Sequence, residues 1–267
     1  MAWRLPELLV INFGALAILL SINVAEAQTL RLAGPPWPPF LSVEMPETGL
    51  ATEIVLTGLK SAGYETSIEI KPWQRMMAQV ESGKVDVLIG LWHNNDRNEA
   101  FQFSNPYYEN KIHFVASNKS HFQFKSITDL HSLKIGVRQG ASFGKRFDND
   151  PLLNKISVAK TINILRMISV ERLDIGVDDR LIIEHLLAQD QQLSAQLKII
   201  EPAFKVRPLH MAVTRSRADC GEIIAKFNQA LSEMTKDGRL QAIYQKYSLT
   251  PEASAVLLSP VDHSWVE

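Results

Sequence analysis

The sequence predicts an α/β fold of two similar lobes, each a mostly parallel sheet flanked by helices. Three observations carry this expectation. Short β-type runs alternate with helix-type stretches in βαβαβ order, a pattern that calls for a parallel sheet covered by helices. The pattern restarts after residue 117. The two halves also echo each other: "SGKVDVLIG" (82–90) aligns with "VERLDIGVD" (170–178), each with a polar lead, Asp at the fifth position and then apolar alternation.

The elements follow in order. "TLRLAG" (29–34) reads as a strand. The stretch 49–63 reads as a helix, because Leu50, Ile54, Val55 and Leu59 fall on one face. "YETSIEI" (64–70) alternates as a strand does. "PWQRMMAQVESG" (72–83) opens on Pro, which suits a first helical turn, and stops at a glycine. "KVDVLIG" (84–90) is a buried strand. In the second half, strands are expected at 133–137, 172–177 and 197–202, and helices at 141–147, 161–170 and 179–189. A third segment supplies a strand at 206–215, then a helix at 218–238 with Ile223, Ile224, Phe227, Leu231 and Met234 on one face. A short helix, 239–247, follows. Residues 250–267 show no periodicity and are expected to form a loosely held tail.

The N-terminus is a separate matter. Residues 8–24 are an apolar run with Arg4 before it and Ala25-Glu26-Ala27 after it. This is the pattern of a secretory signal peptide, residues 1–27, cut before Gln28. An uncleaved membrane anchor is the alternative, for which the run is slightly short. With Arg4, Glu7 and Glu26 removed, 27 of 28 basic and 27 of 29 acidic residues remain, so the exported chain is formally neutral. No block of like charge appears, and no nucleic-acid partner is implied. Cys220 is the only cysteine, so no intramolecular disulfide can form. No G-x-S-x-G, no His pair at metal spacing and no matched Cys–His set is present, and "GVRQGASFGK" lacks the phosphate-loop spacing. An exported monomer with no cofactor, no metal site and no catalytic residues is expected.

In open α/β sheets, ligands bind beyond the carboxyl ends of strands. After the first strand, "GPPWPPF" (34–40) holds an extended backbone and presents Trp37 and Phe40, either to a ligand or as a plug for the lobe's end. Trp73 follows the second strand. Gly90, Leu91 and Trp92 follow the third, and then Arg97. In the second half, "GVRQGAS" (136–142) places Gly140 and Ser142 in a turn that opens a helix, where free N–H groups and the helix dipole favour an anion. Asp178 and Asp179 close the strand at 172–177. Asp179 suits either a cleft acid or a helix cap. Aromatics, one arginine, a helix N-terminus and an acid together fit an amphoteric ligand. Arg or amide donors would take its carboxylate, an Asp its ammonium, and aromatic faces the remainder.

These stretches carry a resemblance. "WPPF" (37–40), "PW" (72–73), "SGKVDVLIG" (82–90), "DR" at 96–97 with "FSNPYY" (103–108), "ITDLHSLKIGVRQGAS" (127–142), "RLDIGVDD" (172–179) and "LQAIYQKY" (240–247) occur in an order and spacing similar to the type II periplasmic solute-binding proteins that serve polar amino-acid uptake. The resemblance spans about residues 29–249. It implies the two-lobed periplasmic binding protein type II fold: lobe 1 from 28–117 plus 205–249, lobe 2 from 118–204, and a two-segment hinge that closes on a ligand. By position, Trp37 and Trp73 match the aromatics on either side of the ligand, and Arg97 the arginine that grips an α-carboxylate. Ser142 matches the hydroxyl of the second lobe's anion turn, and Asp179 the acid that takes the ammonium.

One loop departs from the family's pattern. Amino-acid-binding members carry Ser or Thr before the arginine, whereas "GLWHNNDR" (90–97) is one residue shorter and places Trp92 and His93 there. Three tryptophans near one cleft favour a larger, flatter or cationic ligand over a standard α-amino acid. The resemblance implies capture of a small polar, amino-acid-like solute in the periplasm and its delivery to a membrane transporter permease. Delivery to a sensory receptor is the alternative, and a dehydratase-like enzyme on the same fold a remoter one.

Overall fold

The computed structural model describes residues 29–93 and 97–247. The expected signal peptide and the tail at 250–267 lie outside the described residues. The first half holds β1 (Thr29–Gly34), α1 (Leu50–Ser61), β2 (Glu65–Ile70), α2 (Trp73–Glu81), β3 (Val87–Trp92), β4 (Phe101–Phe103) and β5 (Tyr108–Ser117). The second holds β6 (Lys134–Arg138), α3 (Lys145–Asp148), β7 (Asn154–Val158), α4 (Thr161–Ser169), β8 (Ile175–Asp179), α5 (Arg180–Ala188) and α6 (Gln191–Gln196). The chain then returns through β9 (Leu197–Thr214) to α7 (Cys220–Lys236) and α8 (Arg239–Lys246).

The strands form one continuous curled sheet in the order β2-β1-β3-β9-β5-β8-β6-β7, with β4 beside β9. The two ends of that order are the same unit used twice. In each, the first strand of the half lies in the middle, parallel to the second and third: β2-β1-β3 and β7-β6-β8. The βαβ alternation predicts all three strands of the first unit, and β6 and β8 but not β7 of the second. Between them β5 and β9 run antiparallel and serve both halves. Tyr108–Ile112 pair with Lys205–Leu209 and, past a register shift, Phe114–Ser117 with Leu197–Ile200. The strands expected separately at 197–202 and 206–215 are therefore one, β9.

The internal sequence echo has a physical cause. Asp86 and Asp174, its fifth positions, do the same work in the two units. Asp86 N donates to Arg31 O at 2.8 Å and Asp86 Oδ2 accepts from Arg31 N at 2.9 Å, tying the approach to β3 onto β1. Asp174 N donates to Lys134 O at 3.0 Å and Asp174 Oδ2 accepts from Lys134 N at 2.6 Å, tying the approach to β8 onto β6.

Packing follows the expected faces. Leu50, Ile54, Val55 and Leu59 of α1 are fully buried against α7, whose Ile223, Phe227 and Met234 are fully buried as well. In the second unit α4 lies so close to the sheet that Gly176 is required. A Cβ there would stand 2.4 Å from Ile164 Cγ2, well inside contact distance. Gly176→Ala is expected to destabilise the protein by about 1–3 kcal/mol through overpacking, read as a lowered urea midpoint with unchanged slope. An unchanged midpoint would mean that α4 can move outward at no cost.

Local expectations differ from the structure in two places. The helix at 141–147 shrinks to the single turn Lys145–Asp148, because Gly144 adopts φ 114° and interrupts any earlier start. Strands β4, β5 and β7 are not evident from local pattern. β4 and β5 pair with β9, remote in sequence, and most of β5 is buried without the alternation that would mark it, whereas β7 pairs with nearby β6 and is a short run at the sheet's edge.

Candidate functional site

Where the two units face each other, a cavity of about 660 Å³ opens, a size typical of small-molecule sites. Of the residues expected at the ligand, Trp37, Trp73, Gly90, Trp92, Arg97, Gly140 and Ser142 line it. Leu91 and Asp179 do not.

Gly90 sets the inner wall. Its φ of 76° and the register shift between Leu88 and Leu91 mark a bulge in β3. Its N–H donates to Tyr107 Oη at 3.1 Å. Through the bulge Trp92 reaches the cavity. Leu91, 1% exposed, instead joins Ala33, Met76 and Phe101 in the core, so its assignment to the ligand is corrected.

Each of the three tryptophans carries a guanidinium of this chain. Arg97 lies 4.9 Å from the Trp73 ring centre, Arg207 4.6 Å from Trp92, and Arg138 5.9 Å from Trp37. The stacking holds the arginines in place. An aromatic cage for a cationic ligand is thereby already occupied. Trp37 also packs on Phe40 and edge-on to Trp92, so it plugs the lobe's end and lines the cavity at once. Arg97 Nη1 donates to Trp92 O at 2.9 Å; residues 94–96 of that loop lie outside the described residues.

Asp179 belongs to a different arrangement. It is fully buried, caps α5 by accepting from Leu181 N at 2.9 Å, and accepts from Asn110 Nδ2 at 3.0 Å. Asn110 Oδ1 in turn accepts from Trp92 Nε1 at 2.7 Å. The expected ammonium acceptor is therefore a positioning residue that reaches the cavity only through Asn110 and Trp92. Burial pushes its carboxyl up to about 7; the Asn110 hydrogen bond opposes this and the Asp178 charge reinforces it. Asp178 is buried too, and accepts from Arg138 Nε at 3.3 Å and from Thr161 Oγ1. Asn110→Ala would strand both the Trp92 N–H and one Asp179 oxygen. It is expected to cost about 1–3 kcal/mol of stability and to weaken ligand binding by loosening Trp92. Unchanged Trp fluorescence and an unchanged melting temperature would refute that link.

The anion turn is also corrected. Ser142 Oγ, Phe143 N and Gly144 N all donate to the Asp148 carboxylate, at 2.6, 3.0 and 3.0 Å. An internal carboxylate occupies the donors that the sequence offers to a ligand. Ser142 and Gly140 remain at the cavity wall, with Ser142 O accepting from Arg207 Nη1 at 2.8 Å.

Several wall residues escape a reading of the sequence: Arg138, Lys205, Arg207, His210 and Arg215. Arg138 ends β6 and stands at the strand-end position that ligands favour. Lys205 and Arg207 lie inside β9, where their one sequence signal is period-2 spacing on one strand face. Burial lowers His210 to about 4, so it is neutral at pH 7. Its Nδ1 then donates to Ser104 O at 2.8 Å, which leaves Nε2 as an acceptor.

Known proteins share this framework. The L-cystine-binding protein TcyJ of Escherichia coli (strain K12) is 24% identical over 215 residues, covering 75% of this chain and 74% of that protein. The arginine-binding extracellular protein ArtP of Bacillus subtilis (strain 168) is 25% identical over 203 residues, covering 74% and 77%. Among solved structures, a histidine kinase sensor domain with similarity to periplasmic binding proteins superposes with a TM-score of 0.71. It is 18% identical and covers 84% of this chain and 97% of its own. The family model of the bacterial extracellular solute-binding proteins, family 3, matches residues 31–250. With the two units and the cavity between them, this places the chain in that family: it is a bacterial extracellular solute-binding protein of family 3.

Proposed function

We propose that the protein captures a small polar, amino-acid-like solute bearing a carboxylate in the periplasm and delivers it to a membrane transporter. The observation that carries this is the cavity, whose wall takes Trp73, Trp92 and Arg97 from one unit and Arg138, Gly140 and Ser142 from the other. A ligand touching both sides favours the state in which the units are closed on it, through its differential affinity for that state. In this reading lobe 1 is 28–117 plus 205–249, lobe 2 is 118–204, and β5 and β9 supply the hinge. Arg97 holds the carboxylate. The relatives named for cystine and arginine binding support the size and polarity of the solute. The apolar run at 8–24 supports export.

A thermal-shift screen against amino acids, small peptides, polyamines and organic acids tests the proposal. Ligand at about 100 times its dissociation constant adds roughly 2.7 kcal/mol, a shift of a few degrees at this size. Recovery of the bound compound with unchanged mass is the expected outcome for a carrier; a changed mass would make the protein an enzyme. Silence across the whole screen would sink the reading.

A further inference from the structure

The charge of the cavity wall is lopsided. Six Lys and Arg residues line it, Arg97, Arg138, Lys145, Lys205, Arg207 and Arg215, while no Asp or Glu does so among the described residues. The chain as a whole is nearly balanced, with 28 basic and 29 acidic residues, so composition does not account for the bias. A concave wall of one sign focuses potential on whatever enters it.

The cations differ in how far the protein neutralises them. Arg138 has Asp178 at 3.3 Å. Lys205 and Arg207 have no carboxylate within 4 Å among the described residues. Asp148 attracts both, but its oxygens are engaged by Ser142, Phe143 and Gly144. The two cations share one face of β9, two residues apart, and the Lys205 ammonium lies close against Gly144. Each weakens the other or is weakened by a neighbour: burial lowers both, Arg207 also lowers Lys205, and Arg97 also lowers Arg207. Two like charges pressed together on a half-buried wall are costly unless an anion arrives. The acid expected to take an ammonium, Asp179, is fully buried and bonded to Asn110.

We propose that the cleft takes a small solute with two separate anionic groups, one at Arg97 and the other at Lys205 and Arg207, and has no acid-lined place for an α-ammonium. This rests on the reading of the cavity as the solute site. Carboxylate and phosphate oxygens both suit the second position, since Lys and Arg bind either.

The test is calorimetric titration of the purified protein in phosphate-free buffer. The probes are linear dicarboxylates of four to seven carbons, 3-phosphoglycerate, monocarboxylates of matching length, and the amino acids arginine, cystine and glutamine. A dicarboxylate or 3-phosphoglycerate binding at least tenfold tighter than the matching monocarboxylate supports the proposal, and which of the two wins identifies the second group. Arg207→Gln should then remove at least tenfold for the dianion and less than threefold for the monocarboxylate. Its unliganded melting temperature should fall only slightly, because relief of a crowded cation offsets the lost Ser142 bond and Trp92 stack; Lys205→Gln should repeat the pattern in affinity. If arginine, glutamine or the monocarboxylates bind as tightly as the dianions, the two-anion site is overturned and solute capture stands; cystine carries two carboxylates and two ammonium groups, so its equally tight binding would overturn the absence of an ammonium site. If no probe binds, both are overturned.

Discussion

Arg97→Ala is expected to weaken solute binding by about 2–5 kcal/mol, the cost of stranding one member of a desolvated charge pair. That is roughly 30-fold to several thousand-fold in affinity. The guanidinium is half-buried, and its contacts include a bond to Trp92 O at 2.9 Å and stacking on Trp73 at 4.9 Å. It therefore enters the complex with little conformational freedom left to lose, which concentrates the effect on the bound state. Arg97→Lys keeps the charge but loses the planar fork and the stack, so an intermediate loss is expected. The hydrogen bond to the Trp92 carbonyl and the stacking on Trp73 are each worth about 1 kcal/mol in the unliganded protein. Calorimetric titration with the compound found in the screen decides the matter. An affinity unchanged by Arg97→Ala would mean that the carboxylate sits elsewhere.

Asp86→Ala is expected to cost about 1–3 kcal/mol of stability, because it orphans a strand N–H and removes the buried carboxylate shared by Arg31 and Arg217, although Arg31 is half exposed and Arg217 keeps Asp219. Asp86 is 3% exposed and accepts four hydrogen bonds: from Arg31 N at 2.9 Å, Arg31 Nε and Nη2 at 2.8 Å, and Arg217 Nη1 at 2.9 Å. Alanine would leave an orphaned backbone N–H on β1 and two guanidinium groups facing each other. Burial works to raise the Asp86 carboxyl, but the Arg31 and Arg217 bonds prevail and hold it down at about 2. The folded value thus lies below that of the unfolded chain. The stabilisation is complete above about pH 4 and is lost as pH falls from there through about 2; at about 1.4 kcal/mol per unit it amounts to roughly 2 kcal/mol. Urea unfolding at pH 7 and at pH 2.5 should therefore show a large gap between wild type and Asp86→Ala at the first and a smaller one at the second. Asp174→Ala is the internal control. Asp174 makes the same backbone ties in the second unit but is exposed, so its loss should cost less than about 1 kcal/mol. Equal losses at the two positions would mean that burial is not what makes Asp86 important.

The pairing of Asp86 with Asp174 shows how much of the fold is legible in sequence. The first unit, two of the three parallel strands of the second, and the aspartate ahead of each third strand are legible, the last as a nine-residue echo, because each is decided by contacts within some 60 residues. What escapes is the edge strand β7, and with it β4, β5 and the continuity of β9, which depend on pairing between segments far apart in the chain. At the site, strand-end reading finds the tryptophans, Gly90 and Arg97, since a residue leaving a parallel strand is placed by local geometry. It fails for Leu91 because a one-residue bulge at Gly90 reverses which side chains face inward. It fails for Asp179 because whether an acid at a strand end faces a cleft or caps the next helix depends on which donor stands opposite, and here Asn110 of β5 does.

The βα alternation, most of the parallel strands, and the aromatics and arginine at one end of the sheet follow from the order of residues along the chain. Periodicity and turn chemistry act over a few residues, so they can be read before the fold is known. The chemistry of the cleft follows only from the folded chain. Folding brings Lys205 and Arg207 from the interior of β9 to the wall of the same cavity as Arg97, places a guanidinium on each cavity tryptophan, and turns the expected acid inward. The reason is that charges converge through long-range strand pairing, and the sign of a cavity is a property of neighbours in space.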